Sequence, residues 1–170
     1  AGIPNPVMAL KDGTMGWELA GLECAHGNTA HAPAPEGEAL QLAIARAQAV
    51  AERFGVPKTT ATQLAEWQAR ADRTTFLLDV RTIQEYEAGH WPGARHAPGG
   101  QLVQATDEYV GVKNACIVLA DSPDAVRATM TAHWLIQLGH PEVYVLADQP
   151  PQPETGQTDA GPVLFEPYPK

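Results

Sequence analysis

The chain has 170 residues, 44% of them hydrophobic, with 11 basic and 20 acidic side chains for a net charge of −9. That length suits one domain with additions or two small ones, and the apolar fraction is enough to bury a core. The acidity argues against a nucleic-acid or anionic-membrane surface, and mildly against electrostatic capture of a small dianion.

No apolar run approaches the length that spans a bilayer, and no signal peptide is evident. Two cysteines, Cys24 and Cys116, make no disulfide framework, so a reducing cytoplasm is the expected compartment. In chain order, the stretch from Gly2 to Leu10 echoes that from Gly139 to Leu146, a weak internal repeat. Residues 26–38 are rich in Asn, Thr, His, Pro, Ala and Gly, which suits a linker. His26 and His31 there lack ligand-spaced companions, so no metal is expected, and no cofactor motif is present. From Glu38 to Phe54 a breaker-free run predicts a helix closed by Gly55, with Leu40, Ile44, Ala47 and Ala51 on one face.

Val56 and Pro57 open the main unit. Thr60 is placed to cap a helix from about Ala61 to Ala69, with Leu64, Ala65 and Trp67 as its apolar members. Phe76, Leu77, Leu78 and Val80 have the length of a buried parallel strand, with Asp79 and Arg81 at its end. Thr82 and Glu85 are spaced as a capping box for a short helix that Gly89 ends, and Pro92-Gly93 turns the chain. Residues 101–112 are ambiguous between loop and helical turn. Cys116 to Ala120 predicts a second buried strand, Asp124 to Leu138 a long helix with Val126, Met130, Trp134 and Leu138 at four-residue spacing, and Val143 to Leu146 the last strand. The alternation argues for an α/β unit of doubly wound type over about 57–148. The Pro-rich tail from Gln149 cannot continue as helix or central strand and reads as a linker.

The order Asp79-Val80-Arg81, Glu85-Tyr86 and Gly89-His90-Trp91-Pro92-Gly93-Ala94 closely resembles the N-terminal signature of the rhodanese homology domain, with only Trp91 departing in kind. The resemblance implies a rhodanese-like doubly wound fold, a five-stranded, mostly parallel sheet with helices on both faces. The run from Gly13 to Gly21, small residues around Trp17, resembles the closing motif of the same family. Residues 1–25 are therefore expected to be the last strand and Trp helix of a preceding rhodanese-like domain, followed by a linker and bridging helix at 26–56, the complete domain at 57–148 and the tail at 149–170. That domain has no closing Trp helix of its own, and residues 13–22 are expected to cover the apolar edge left open, in the same chain or a neighbour.

In a catalytic rhodanese the strand matching Ile117-Val118-Leu119 leads into a loop that opens with a cysteine and closes at an arginine. Its thiolate carries sulfane sulfur as a persulfide, held by loop amides and a helix N-terminus. Here the loop reads Ala120-Asp121-Ser122-Pro123-Asp124-Ala125-Val126-Arg127 and has no cysteine. Counting from the strand puts Asp121 in the cysteine position, and counting back from Arg127 puts Ser122 there. A carboxylate cannot take up sulfane sulfur, and a serine hydroxyl without a base would not carry a persulfide. Pro123 also removes one amide from the cradle. Asp121 or Asp124 could supply a built-in anion, paired with Arg127, or could merely cap the helix.

Cys116 lies at the far end of its strand, roughly 15 Å from the loop along an extended chain, and reads as a structural thiol. Cys24 has no basic neighbour. Asp79 and Arg81 are expected to brace the loop, and His90 to position the turn after the signature helix.

The resemblance leaves three functions open: a catalytically silent module for support, docking or anion sensing; a sulfurtransferase moving sulfane sulfur from thiosulfate to a thiol; and, third in rank, a dual-specificity-type phosphatase, whose cysteine is equally absent. Expected partners are a small anion at the active loop, neighbouring rhodanese domains of a longer protein, and a second copy reached through residues 1–25. Neither nucleic acid nor membrane is expected.

Overall fold

The computed structural model describes residues 5–27 and 32–156; His31 and the chain beyond Gly156 lie outside the described residues. Two compact units are present, residues 1–34 and 35–170. The first holds one helix, α1 (Gly13–Leu19), whose Trp17 donates its indole N–H to the Glu23 carbonyl at 3.0 Å. Its apolar side chains stay open: Val7, Met8 and Leu19 are each more than three-quarters exposed, and Trp17 is 39% exposed. One expectation fails here. Residues 5–10 form no strand, because a strand lowers its free energy only when a neighbour takes its backbone groups, and none lies among the described residues of this unit.

The second unit runs α2 (Gly37–Phe54), β1 (Lys58–Thr59), α3 (Ala61–Gln68), β2 (Thr75–Asp79), α4 (Ile83–Ala88), β3 (Arg95–His96), α5 (Gly99–Gln104), α6 (Thr106–Tyr109), β4 (Cys116–Ala120), α7 (Val126–Gln137) and β5 (Val143–Leu146). The five strands form one sheet in the order β1-β5-β4-β2-β3, and every pairing is parallel. β4, all five residues buried, is the central strand.

The period of two in the strands sorts the core into two layers. Leu78, Ile117, Leu119, Val143 and Val145 pack with Leu102, Ala128, Ala132 and Leu135, so α5 and α7 cover that face. Leu77, Cys116, Val118 and Ala120 pack on the other face with Leu64 and Leu146, joined by Trp67, Trp91 and Tyr144. α2 lies against α7, where Phe54 meets the His133 ring at 5.3 Å. The expected inner face of α2 is the one that packs: Leu40, Ile44, Ala47 and Ala51 are buried or half-buried, and Gly55 ends the helix at φ 64°.

The four-residue row noted on α7 is not its buried face. Met130, Trp134 and Leu138 are 37%, 51% and 59% exposed, while Ala128, Thr129, Thr131, Ala132, His133 and Leu135 are buried. Small side chains let the helix lie close on the sheet, and a spacing of four drifts about 40° per step from the 3.6-residue turn, so it marks no single face. Ala65, expected to be inward on α3, is exposed. Residues 101–112 resolve into the short helices α5 and α6.

The tail also departs from expectation. Gln149–Gly156 is no free linker but folds back on the turn after α4. Glu154 pairs with His90 in an antiparallel bridge of two 2.9 Å backbone hydrogen bonds, and the Gly156 amide donates to the Glu87 carbonyl at 2.8 Å. Prolines forbid a ladder across residues 150–153, yet a single bridge at Glu154 needs only one residue with both backbone groups available.

Candidate functional site

β2 and β4 run parallel and side by side, so the loops leaving their carboxyl ends converge. From β2 come Asp79, Arg81 and then α4. From β4 comes the loop Asp121–Ala125, which feeds α7.

The α4 end is set by its capping box. Thr82 accepts from the Glu85 amide at 3.4 Å, and Glu85 Oε2 accepts from the Thr82 amide at 3.0 Å and its hydroxyl at 2.6 Å. Asp79, fully buried, accepts from the Arg81 amide at 3.0 Å and from the Arg81 guanidinium at 2.6–3.1 Å. Arg81 also donates to the Gly89 carbonyl at 2.6 Å. The Asp79 carboxylate raises the Arg81 pKa further above its ordinary value. Neither group is left to react, and the pair ties the strand end to the turn after α4.

The β4 loop closes on its own carboxylates. The Ala125 amide donates to the Ser122 carbonyl at 2.9 Å, and Ala125 then takes a left-handed φ of 53°, unusual for a residue with a Cβ. This turn delivers the chain into α7. Asp121, 6% exposed, is turned inward and accepts four hydrogen bonds: the Ser122 amide at 2.8 Å, the Ser122 hydroxyl at 3.2 Å, Arg127 Nε at 3.0 Å and the Ala128 amide at 2.9 Å. Asp124 accepts from the Val126 amide at 3.0 Å. The two acids therefore occupy amide donors of the first turn of α7, the groups an external anion would use.

Arg127 is fully engaged. Beyond Asp121 it grips Glu85 with both terminal nitrogens at 2.7 and 2.9 Å, and Nη2 donates to the Ser122 hydroxyl at 2.6 Å. The fork holds the Glu85 carboxyl down at about 2, with the Thr82 hydrogen bonds helping, and Glu85 in turn pushes the Arg127 pKa up. Ser122 Oγ lies between the Asp121 carboxylate, to which it donates, and the Arg127 guanidinium, from which it accepts.

Over this sits a cleft of about 430 Å³ lined by Asp79, Arg81, Glu85, Asp121, Gln149 and Pro153, among others. Gln149 donates to the Asp121 carbonyl at 3.3 Å. His90, fully buried, stacks on Tyr86 at 3.8 Å and brings Nδ1 to 2.8 Å from the Tyr86 carbonyl. Cys116 opens β4 at the opposite, amino-terminal end of the sheet; it is 1% exposed, and burial pushes its thiol pKa up. Among the described residues no cluster of His, Cys, Asp and Glu is arranged for a metal.

Of the residues singled out in the sequence, Asp79, Arg81, Asp121, Ser122 and Arg127 come together at the carboxyl ends of β2 and β4, while His90 is buried behind the turn after α4 and does not line the cleft. The sequence missed Glu85 as the partner of Arg127, because the capping-box spacing already accounted for that carboxylate. It missed Gln149 and Glu154, for which a proline-rich setting gave no signal.

A model of the rhodanese-like domain matches residues 60–148, just over half of the chain. The crystal structure of a thiosulfate sulfurtransferase from Pseudomonas aeruginosa superimposes with a TM-score of 0.84 and 50% identity, covering 94% of this chain and 30% of that one. A Mycobacterium tuberculosis (strain ATCC 25618 / H37Rv) protein named HTH-type transcriptional regulator Rv0324 is 34% identical over 93 residues, 51% of this chain and 40% of the regulator. The chain thus spans less than half the length of either relative.

Proposed function

The chain belongs to the rhodanese-like domain family, and on that premise we propose that it is a catalytically silent member whose anion cradle is filled from within. The observation that carries this reading is the inward Asp121 carboxylate, which takes the Ser122 and Ala128 amides and the Arg127 guanidinium together. A dianion entering that loop would meet a buried negative charge and would have to break four hydrogen bonds, and no thiol stands there to receive sulfur. The role left to the module is support or docking within a longer protein, in a reducing compartment. Residues 1–25 then serve as the end of a preceding domain, open to a neighbouring domain or a second copy, and their exposed apolar side chains favour such a contact. A match to 40% of a protein named as a transcriptional regulator favours a module over a stand-alone enzyme.

The alternative, transfer of sulfane sulfur from thiosulfate to a thiol, is favoured by the likeness to a protein described as a thiosulfate sulfurtransferase, of which this chain covers 30%. Thiocyanate formation from thiosulfate and cyanide separates the two. The purified chain is expected to stay at background, and Asp121→Cys, but not Ser122→Cys, to gain turnover and a persulfide adduct in the mass spectrum. Turnover by the unaltered chain that is abolished in Cys116→Ser would replace the silent module with an ordinary enzyme.

A further inference from the structure

The segment Gln149–Gly156 lies along the cleft and is held at one end by an unusual contact. His90 is 0% exposed, and its Nε2 has no hydrogen-bond partner. The nearest acid is Glu154, whose Oε2 lies 3.7 Å from Nε2, too long for a hydrogen bond. The other ring nitrogen fixes the tautomer. Nδ1 faces the Tyr86 carbonyl at 2.8 Å, and a carbonyl only accepts, so Nδ1 carries the proton of the neutral ring. Nε2 then presents a lone pair to a carboxylate, an arrangement without attraction.

We infer that this contact is a proton-operated latch: protonation of His90 turns Nε2 into a donor aimed at Glu154 and tightens residues 149–156 over the cleft. The proton goes to Nε2 from solvent, and no other bond changes. Every element packed around His90 bears on the sign. From α4, the Tyr86 carbonyl keeps its hydrogen bond and the Tyr86 ring face, stacked at 3.8 Å, favours a cation. From the folded-back segment, Glu154 supplies the carboxylate, already positioned because its Oε2 accepts from the Gly93 amide at 3.2 Å and its backbone pairs with His90. Glu87 contributes the carbonyl that holds Gly156. Opposing these are burial of the charge and Arg81, whose Nη2 reaches the neighbouring Gly89 carbonyl but is paired with Asp79. His96 on β3 has its ring 5.2 Å from that of Tyr86 and its Nε2 on the Arg81 carbonyl at 2.9 Å. A protonated ring facing the Glu154 carboxylate makes an ion pair where the neutral ring makes none, which gives the contact its dependence on the proton. The latch is independent of any sulfur chemistry at the loop.

Amide hydrogen exchange on the full chain, corrected for intrinsic rates and normalised to β4 amides such as Leu119, reads the latch. Protection of the Glu154 and Gly156 amides is expected to rise about fivefold between pH 7.5 and 5.5, and to change by less than about twofold in Glu154→Gln, which keeps the backbone bridge. Nitrogen-15 shifts of His90 should show Nδ1 protonated at pH 7.5. Flat or falling protection in the unaltered chain, an equal rise in Glu154→Gln, or the Nε2–H tautomer at neutral pH would each overturn the proposal.

Discussion

Replacing Glu85 by Gln keeps the reach of the side chain and its capacity to cap α4 while removing its charge, so it isolates the ion pair that joins α4 to α7. The Arg127 fork holds the Glu85 carboxyl at about 2 against an ordinary 4.5. Each tenfold change in proton affinity corresponds to about 1.4 kcal/mol, so complete coupling would amount to roughly 3 kcal/mol. The two side chains are 41% and 39% exposed, and solvent screening reduces the expected contribution to about 1 kcal/mol. A depressed carboxyl stabilises the fold above its unfolded-state pKa, and that stabilisation fades as pH falls from about 4.5 toward 2. In urea unfolding at pH 7, Glu85→Gln should therefore lose about 1 kcal/mol, a midpoint shift of roughly 0.5 M for a slope of about 2 kcal/mol/M. The two proteins should converge as the pH is taken down through that window. Equal loss at every pH would mean that the substitution damages the cap or the packing, and no loss at pH 7 would mean that the ion pair contributes nothing.

Asp121→Ala is expected to destabilise the chain by about 2 kcal/mol in the same assay, because the Ala128 amide and Arg127 Nε lose their acceptor at a buried position. Asp121→Asn, which keeps one acceptor oxygen, should lose less. Cys116 in the native chain should resist alkylation by iodoacetamide at pH 8 while Cys24, half-buried, reacts, and both should react in urea, with mass spectrometry as the readout.

The parts of the fold that could be read in advance are those whose residues announce a local physical constraint. β4 and β5 begin and end where their buried-type runs do, and the α4 capping box appears with both of its hydrogen bonds. β1 and β3 are two residues each, too short to show a period, and exist because β5 and β2 offer them backbone partners. The folded-back tail was illegible for a related reason. Each of its hydrogen bonds has a main-chain group on at least one side, as at Glu154, Gly156, Asp121 and Gly93, and main-chain groups look the same in every sequence. The dense polar knot at Asp121 and Arg127 was visible because the resemblance told which two segments meet there, whereas Glu85 already had a sufficient local explanation.

The placement of alanine on α7 carries a consequence for the loop that precedes it. Ala128 and Ala132, both 0% exposed, set the clearance between that helix and the strands beneath it. Ala128 is also the residue whose amide reaches Asp121. A methylene added at either alanine would lift the helix like a shim under a beam and carry the amide away from the carboxylate. The grip on the internal charge is thus calibrated by two methyl groups on the face of the helix that solvent never touches.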